Sequence, residues 1–157
     1  HLTGQVRNTR FRARKHERIL MRNIDLIVQD LRDLLKTRFR SVRLSSLQTS
    51  EQFLQELEAI HPDDLPGVIV VFDALNFISE SVTSEISLTL VLVDRFRADS
   101  DDRALSVFRS FAELLDLFPA DGINLNGVYV HPVDCIASSP DAQYAALALG
   151  IKCKQGF

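Results

Sequence analysis

The side chains best suited to chemistry in this chain are four histidines, two cysteines and a few clustered carboxylates, and their spacing argues against most catalytic arrangements. His1 and His16 fall in the first twenty residues, while His61 and His131 each precede a proline at an element boundary. A histidine acting as general base needs a group that fixes its tautomer and a nucleophile within hydrogen-bond reach. No GxSxG, HExxH or papain-like cysteine signature accompanies any of the four. Cys135 follows His131 by four residues. In a regular strand that spacing sets both on one face, two pleat repeats apart and only loosely adjacent. Cys135 and Cys153 belong to no CxxC or Cys/His cluster, so zinc is not expected. They read as two free thiols of a reducing compartment. Asp99-Ser100-Asp101-Asp102 lacks the glycine and distal glutamate of a calcium loop and reads as a helix cap, where acids favour the positive end of the helix dipole. Asp63-Asp64 and the Glu56/Glu58 pair read as solvated surface. The six glycines are scattered, with no GxGxxG or GxxxxGK[ST] to cradle a phosphate. The expectation is a protein that is not an enzyme, with no catalytic residue, no cofactor and no metal.

Charge carries more information than these groups. Residues 1–20 hold Arg7, Arg10, Arg12, Arg14, Lys15 and Arg18 against one acid, Glu17, for a charge of +5. Residues 21–157 hold the remaining twelve basic and twenty acidic residues, for −8, within a net charge of −3. Residues 1–20 read either as an upstream leader or as a native basic arm. As an arm, its six cations suit salt-sensitive, sequence-independent contacts to phosphates. Phe11 alone supplies base stacking, however, and an acidic body repels DNA in bulk. An arm lying on the acidic surface of a neighbouring subunit is as natural physically.

The elements that position these groups follow from periodicity. At 157 residues, 46% hydrophobic and 25% charged, the chain reads as a basic arm, 1–20, followed by one domain, 21–157. No apolar stretch reaches the roughly 20 residues that span a bilayer, and His1-Leu2-Thr3-Gly4 lacks the charged region and apolar core of a signal peptide. Ile24, Ile27, Val28, Leu31, Leu34 and Leu35 predict a helix over 22–39. Val42–Leu44 is a short strand. Thr49 and Gln52 form a capping box before a helix striped by Phe53, Leu54, Leu57 and Ile60, which His61-Pro62 ends. Val68–Phe72 suits a buried central strand. A strand over 84–96 sets Ile86, Leu88, Leu90 and Leu92 on one face and Ser87, Thr89, Val91 and Val93 on the other. Their connection, the polar loop 76–83, carries Phe77 and Ile78 at its base. A helix over 101–117, capped by Asp99 or Ser100, is expected to bury Ala104, Val107, Phe108, Phe111, Leu115 and Phe118. Gly127–Ile136 and Ala142–Lys154 read as a closing hairpin turning at Ser138-Ser139-Pro140-Asp141. That turn puts Cys135 opposite about Tyr144 and Cys153 opposite about Asn126. The order α-β-α-β-β-α-β-β predicts an α+β domain, a mostly antiparallel sheet with helices packed on one face.

From Met21 onward the chain resembles the phage tail terminator and minor tail proteins of the Mu-like and lambda-like kind. The likeness rests on the opening helix Ile24-Asp25-Leu26-Ile27-Val28-Gln29-Asp30-Leu31 running into Phe39 and Val42-Arg43-Leu44. It continues through the strand pair Val68–Phe72 and Ser84–Phe96 and the helix Ala104–Phe118. It ends on the hairpin with Val130-His131-Pro132-Val133 and Tyr144-Ala145-Ala146-Leu147-Ala148-Leu149. It is a likeness of element order and length over nearly all of 21–157. The resemblance implies a structural virion protein that forms a ring, commonly a hexamer, caps the tail tube, stops its growth and joins it to the head connector. It further implies partners in a tube or sheath protein, a negatively charged lumen through which DNA slides without specific binding, and a place in the virion tail after assembly in the host cytoplasm. The basic arm departs from what the family leads one to expect. Arg7, Arg10, Arg12, Arg14, Lys15, Arg18, Phe77 and Ile78 are the candidate subunit or partner contacts, with no membrane partner. The rival reading is a small cytoplasmic α+β adaptor that binds a protein through its basic arm. A third is an enzyme whose active site is shared across a subunit interface.

Overall fold

The computed structural model describes residues 24–45, 50–78, 83–95, 101–141 and 143–155. Over residues 24–36 the first helix, α1, presents Ile27, Leu31 and Leu35 to the core, with Phe39 buried just beyond it. The strands β1 (Ser41–Ser45), β2 (Gly67–Ile78), β3 (Thr83–Arg95), β4 (Ile123–Leu125), β5 (Val128–Asp141) and β6 (Tyr144–Gln155) form one sheet. Its order is β1-β2-β3-β6-β5-β4. Only β1 and β2 are parallel, and the helix α2 (Ser50–Ala59) lies in the crossover between them. The helix α3 (Asp101–Leu117) follows β3. The molecule is an α+β domain with the expected order of elements, to which the structure adds the short strand β4 and a 3-10 turn at Pro62–Asp64.

The alternation expected in β3 is present. Ile86, Leu88, Leu90 and Leu92 join Val68, Val70, Leu147, Leu149, Ile151 and Cys153 in one core with α1 and with Leu114 and Phe118 at the end of α3. Val91 and Val93 face the opposite way, into a second core with Ile69, Ala146, Leu65, Ile60 and Leu57 of α2. Helices on one face therefore describes α1 and α3 but not α2. The crossover from β1 to β2 carries α2 over the other face, where the Oγ of Ser45 donates to Oε2 of Glu56 at 3.3 Å. The chain after α2 is tied back to β1: Ser41 Oγ donates to the Asp64 carbonyl at 2.9 Å, and Arg40 donates to that of Asp63 at 3.3 Å. A Cβ on Gly67 would fall 2.5 Å from Ser41 Oγ, so a larger residue there would displace that hydroxyl from its bond to Asp64.

Three expectations need correction. In α3 the buried side is Val107, Ser110, Leu114 and Phe118, whereas Phe108 is 64% exposed and Leu115 42% exposed. The helix is apolar on two sides, and its packing turns the Leu114 side inward. Secondly, β2 runs to Ile78, so Asn76, Phe77 and Ile78 are strand and not loop. Asp73 is an extra residue between the Phe72–Leu88 and Ala74–Ser87 pairs, and Thr89 Oγ1 donates to its Oδ2 at 2.6 Å. Thirdly, the closing hairpin is longer than expected. Strand β5 continues through Ser138-Ser139-Pro140-Asp141 and turns only before Tyr144. Cys135 therefore faces Leu149, and Cys153 faces Val130. Proline fits here because β5 lies outermost in the sheet beyond its short pairing with β4, where a missing N–H breaks no ladder. Both thiols are free, as expected. Thr49 of the capping box and the Asp99/Ser100 cap lie outside the described residues.

Candidate interaction surface

The candidate surface starts from the composition of β5. Its first three residues pair with β4, through Ile123–Val130, Asn124–Tyr129 and Leu125–Val128. Among the described residues no strand continues that pairing past Val130, so the outer N–H and C=O groups of β5 beyond it form an open edge. Val133 and Ile136 are exposed along this stretch, as is Cys135. The opposite end of the sheet is also an edge, β1, with Leu44 exposed.

Beside the β5 edge lies a groove of about 390 Å³. Leu115, Phe118, Pro119 and Ala120 form its helical wall, and Pro132, Val133, Asp134, Cys135 and Leu149 its sheet wall. Asp134 is its one charged lining residue. The outward side of α3 leads toward it through Phe108 and Phe111, whose rings meet edge to face at 6.3 Å, and then Leu115. Burial and the Asp134 carboxylate both raise the pKa of the Cys135 thiol, burial being the larger cause. Cys153, deep in the core, is pushed up to about 12 by burial.

A second bulge decides what the edge presents. Val133 is the extra residue between the Pro132–Ile151 and Asp134–Gly150 pairs. Directly opposed residues share a face, so Cys135 points with Leu149 to the α1/α3 side, while His131 points with Lys152 to the α2 side. The expectation that His131 and Cys135 share a face fails at this bulge. Asp134 lies over Gly150, where an added Cβ would collide with its Oδ1. His131 stacks on Tyr129, with centroids 5.4 Å apart. Nearby, Glu85 is buried in the sheet and paired with Lys152 at 3.1 Å and Lys154 at 3.6 Å. This is a satisfied ion cluster on the sheet face that α2 leaves uncovered. His61 caps the 3-10 turn, its Nδ1 accepting from Asp63 N–H at 3.1 Å.

Of the candidate contact residues, Phe77 is 70% exposed, close to the end of β2 and opposite Ser84. Ile78 is the last residue of β2, opposite Thr83. Arg7, Arg10, Arg12, Arg14, Lys15 and Arg18 lie outside the described residues, as do Asp99 and Ser100 of the Asp99–Asp102 cluster. Phe77 stands at the β2–β3 end of the sheet, on strands other than the β5 edge. The residue reading missed Val133, Cys135, Ile136, Phe108 and Leu115. The available signal was Pro132 and Pro140 in one apolar run, which marks an edge strand. Among the described residues no group of three or more histidine, cysteine, aspartate or glutamate side chains is placed to hold a metal ion, and no helix is long and apolar enough to cross a membrane. Comparison with known proteins finds no family model that matches the chain and no curated protein with a similar sequence.

Proposed function

We propose that this chain is a structural subunit that assembles with copies of itself into a ring, a tail terminator or collar protein of a phage or phage-derived contractile particle. It caps the tail tube and joins it to the head connector. The observation that carries the reading is a sheet with two unlike open edges, β1 and β5, one of them beside an apolar groove. Unlike edges at opposite ends of one sheet favour head-to-tail association, which closes into rings when the rotation per subunit permits. The sequence likeness to tail terminators supplies the kind of particle and the hexamer, together with tube, sheath and connector as partners and a lumen that passes DNA without specific binding. In this role the chain carries no catalytic residue and no cofactor.

Light scattering on the purified 1–157 and 21–157 chains at two concentrations, with negative-stain images of large species, tests the reading. The expected result is a closed species several subunits in size, weakened by Phe77→Asp at an unchanged melting temperature. Monomers of both chains at both concentrations refute self-assembly and move the assignment to an adaptor that binds another protein through residues 1–20.

A further inference from the structure

We propose that the β1 edge of one copy pairs antiparallel with the free β5 edge of the next. Arg43 then lies opposite Asp134 and Val42 opposite Cys135, with Leu44 arriving at the Val133 bulge beside the groove. This rests on the ring reading and assigns the surface that would build the ring.

Strand direction comes first. Strand β1 is parallel to β2, and the steps β2–β3, β3–β6 and β6–β5 are each antiparallel, so β5 runs opposite to β1. A second copy continuing the sheet in the same orientation therefore brings its β1 antiparallel to β5, the arrangement that a short edge strand completes without a crossover. Side-chain faces come next. Val42 and Leu44 pair with Val68 and Val70 and so lie on the α1/α3 face, while Arg43 pairs with Ile69 on the α2 face. Cys135 lies on the α1/α3 face and Asp134 on the α2 face. One register satisfies both faces, because setting Arg43 against Asp134 sets Val42 against Cys135. Exposed Leu44 then reaches Pro132 and Val133 at the groove wall.

Charge selects this partner. Among the described residues neither Arg43 nor Asp134 has an ion-pair partner, and the pairing supplies each with one. The β1 edge is basic, with Arg40 just before it and Arg43 within it, and the free stretch of β5 carries Asp134. Pairing β5 with a second β5 would bring acid toward acid, and like charges across a strand pair destabilise it.

The test is disulfide trapping between co-expressed chains. One chain is wild type, and the other carries Val42→Cys with Cys135→Ser. Directly opposed Cβ atoms in an antiparallel pair lie within reach of a disulfide. Diamide, which accepts the two hydrogens of the thiols, should give a reducible mixed dimer. The yield should be about ten-fold above that from Arg43→Cys with Cys135→Ser, whose new thiol lies on the other face. Arg43→Asp added to the Val42→Cys chain should abolish the dimer, and Asp134→Arg in its partner should restore it. Melting temperatures of each chain separate these effects from misfolding. A dimer of wild-type chains alone through Cys135 overturns the proposal in favour of β5 pairing with itself. No mixed dimer while rings persist by light scattering overturns this interface and leaves the ring reading standing. A mixed dimer without rings keeps the interface and overturns the ring, and the absence of both overturns both.

Discussion

Replacing Leu114 with alanine should cost far more stability than replacing its neighbour Leu115. Leu114 is 0% exposed between α3 and the sheet, while Leu115 is 42% exposed at the rim of the groove. Truncating a wholly buried leucine loses its transfer free energy and leaves a cavity, together about 3–5 kcal/mol. Truncating the half-exposed one removes part of a surface contact and substitutes a better helix former, a net loss under about 1 kcal/mol. For a domain of this size each kcal/mol moves the melting temperature by about 2–4 °C, so Leu114→Ala should lower it by about 6–20 °C and Leu115→Ala by a few degrees at most. Urea unfolding followed by far-ultraviolet circular dichroism reads both variants, and the slope against denaturant should stay unchanged because the surface exposed on unfolding is almost the same. Equal losses, or a larger loss at Leu115, would refute the orientation of α3. They would restore the sequence expectation that Phe108 and Leu115 pack in the core, and would remove the helical wall of the groove. Leu115→Ala should also weaken self-association under the assembly conditions, whereas Leu114→Ala should act through folding alone.

The remaining predictions concern polar groups. A thiol reagent should modify one cysteine per native chain, Cys135, and reach Cys153 only in denaturant. Asp134→Asn should speed the reaction at Cys135 near pH 8, because the carboxylate raises the pKa of that thiol and a lower pKa means more thiolate. For Cys153 the folded pKa is pushed from 9.0 to about 12. Between those values the unfolded chain has released the proton and the folded chain has kept it, so the contribution of this thiol to stability is full below pH 9 and falls as pH rises toward 12. Urea titrations at pH 8 and pH 10 should show a steeper loss in wild type than in Cys153→Ala. Equal slopes would contradict the burial of that thiol. Ser110→Ala should cost about 1–3 kcal/mol in thermal unfolding. Its hydroxyl donates to Asp94 Oδ2 at 2.9 Å inside the α3–β3 contact, and its loss leaves that carboxylate with the Arg95 N–H on Oδ1. A loss below about 0.5 kcal/mol would mean that water takes the place of the hydroxyl.

Much of the fold was legible because it depends on local period. The apolar residues of α1 and β3 recur at 3.6 and 2.0 residues, and each set is buried as the period demands. The α+β class follows from the order of those elements. The side of α3 was legible only in part: Val107 and Phe118 are buried as expected, but Leu105, Phe108 and Leu115 compete with Leu114 at equally helical spacing. Only the sheet beneath chooses between them. The placement of α2 on the second face was hidden for a similar reason. Val91 and Val93 were read as the far side of β3, yet nothing in their own strand says which helix covers them.

The candidate surface was less legible than the fold because two single-residue insertions set it. Along β2 the positions on the α1/α3 face are Val68, Val70 and Phe72, then Leu75 and Phe77, so the interval from Phe72 to Leu75 breaks the alternation at Asp73. Without that bulge Phe77 would turn to the face of Val71 and Glu85. Along β5 the extra residue is Val133. Were Val133 paired in regular register, Asp134 would point toward α3 and Cys135 toward Lys152, which would turn the carboxylate to the α1/α3 face and set a thiol beside the ion cluster. The bulge instead keeps Cys135 on the groove face and turns Asp134, the one charged residue of the groove lining, to the face on which β1 carries Arg43. A one-residue change of register exchanges every contact at an edge. Deleting Val133 tests the bulge itself: Pro132 stays opposite Ile151 and Asp134 opposite Gly150, so the faces are kept, the pairing of Arg43 with Asp134 should survive, and only the contact of Leu44 at the bulge is lost.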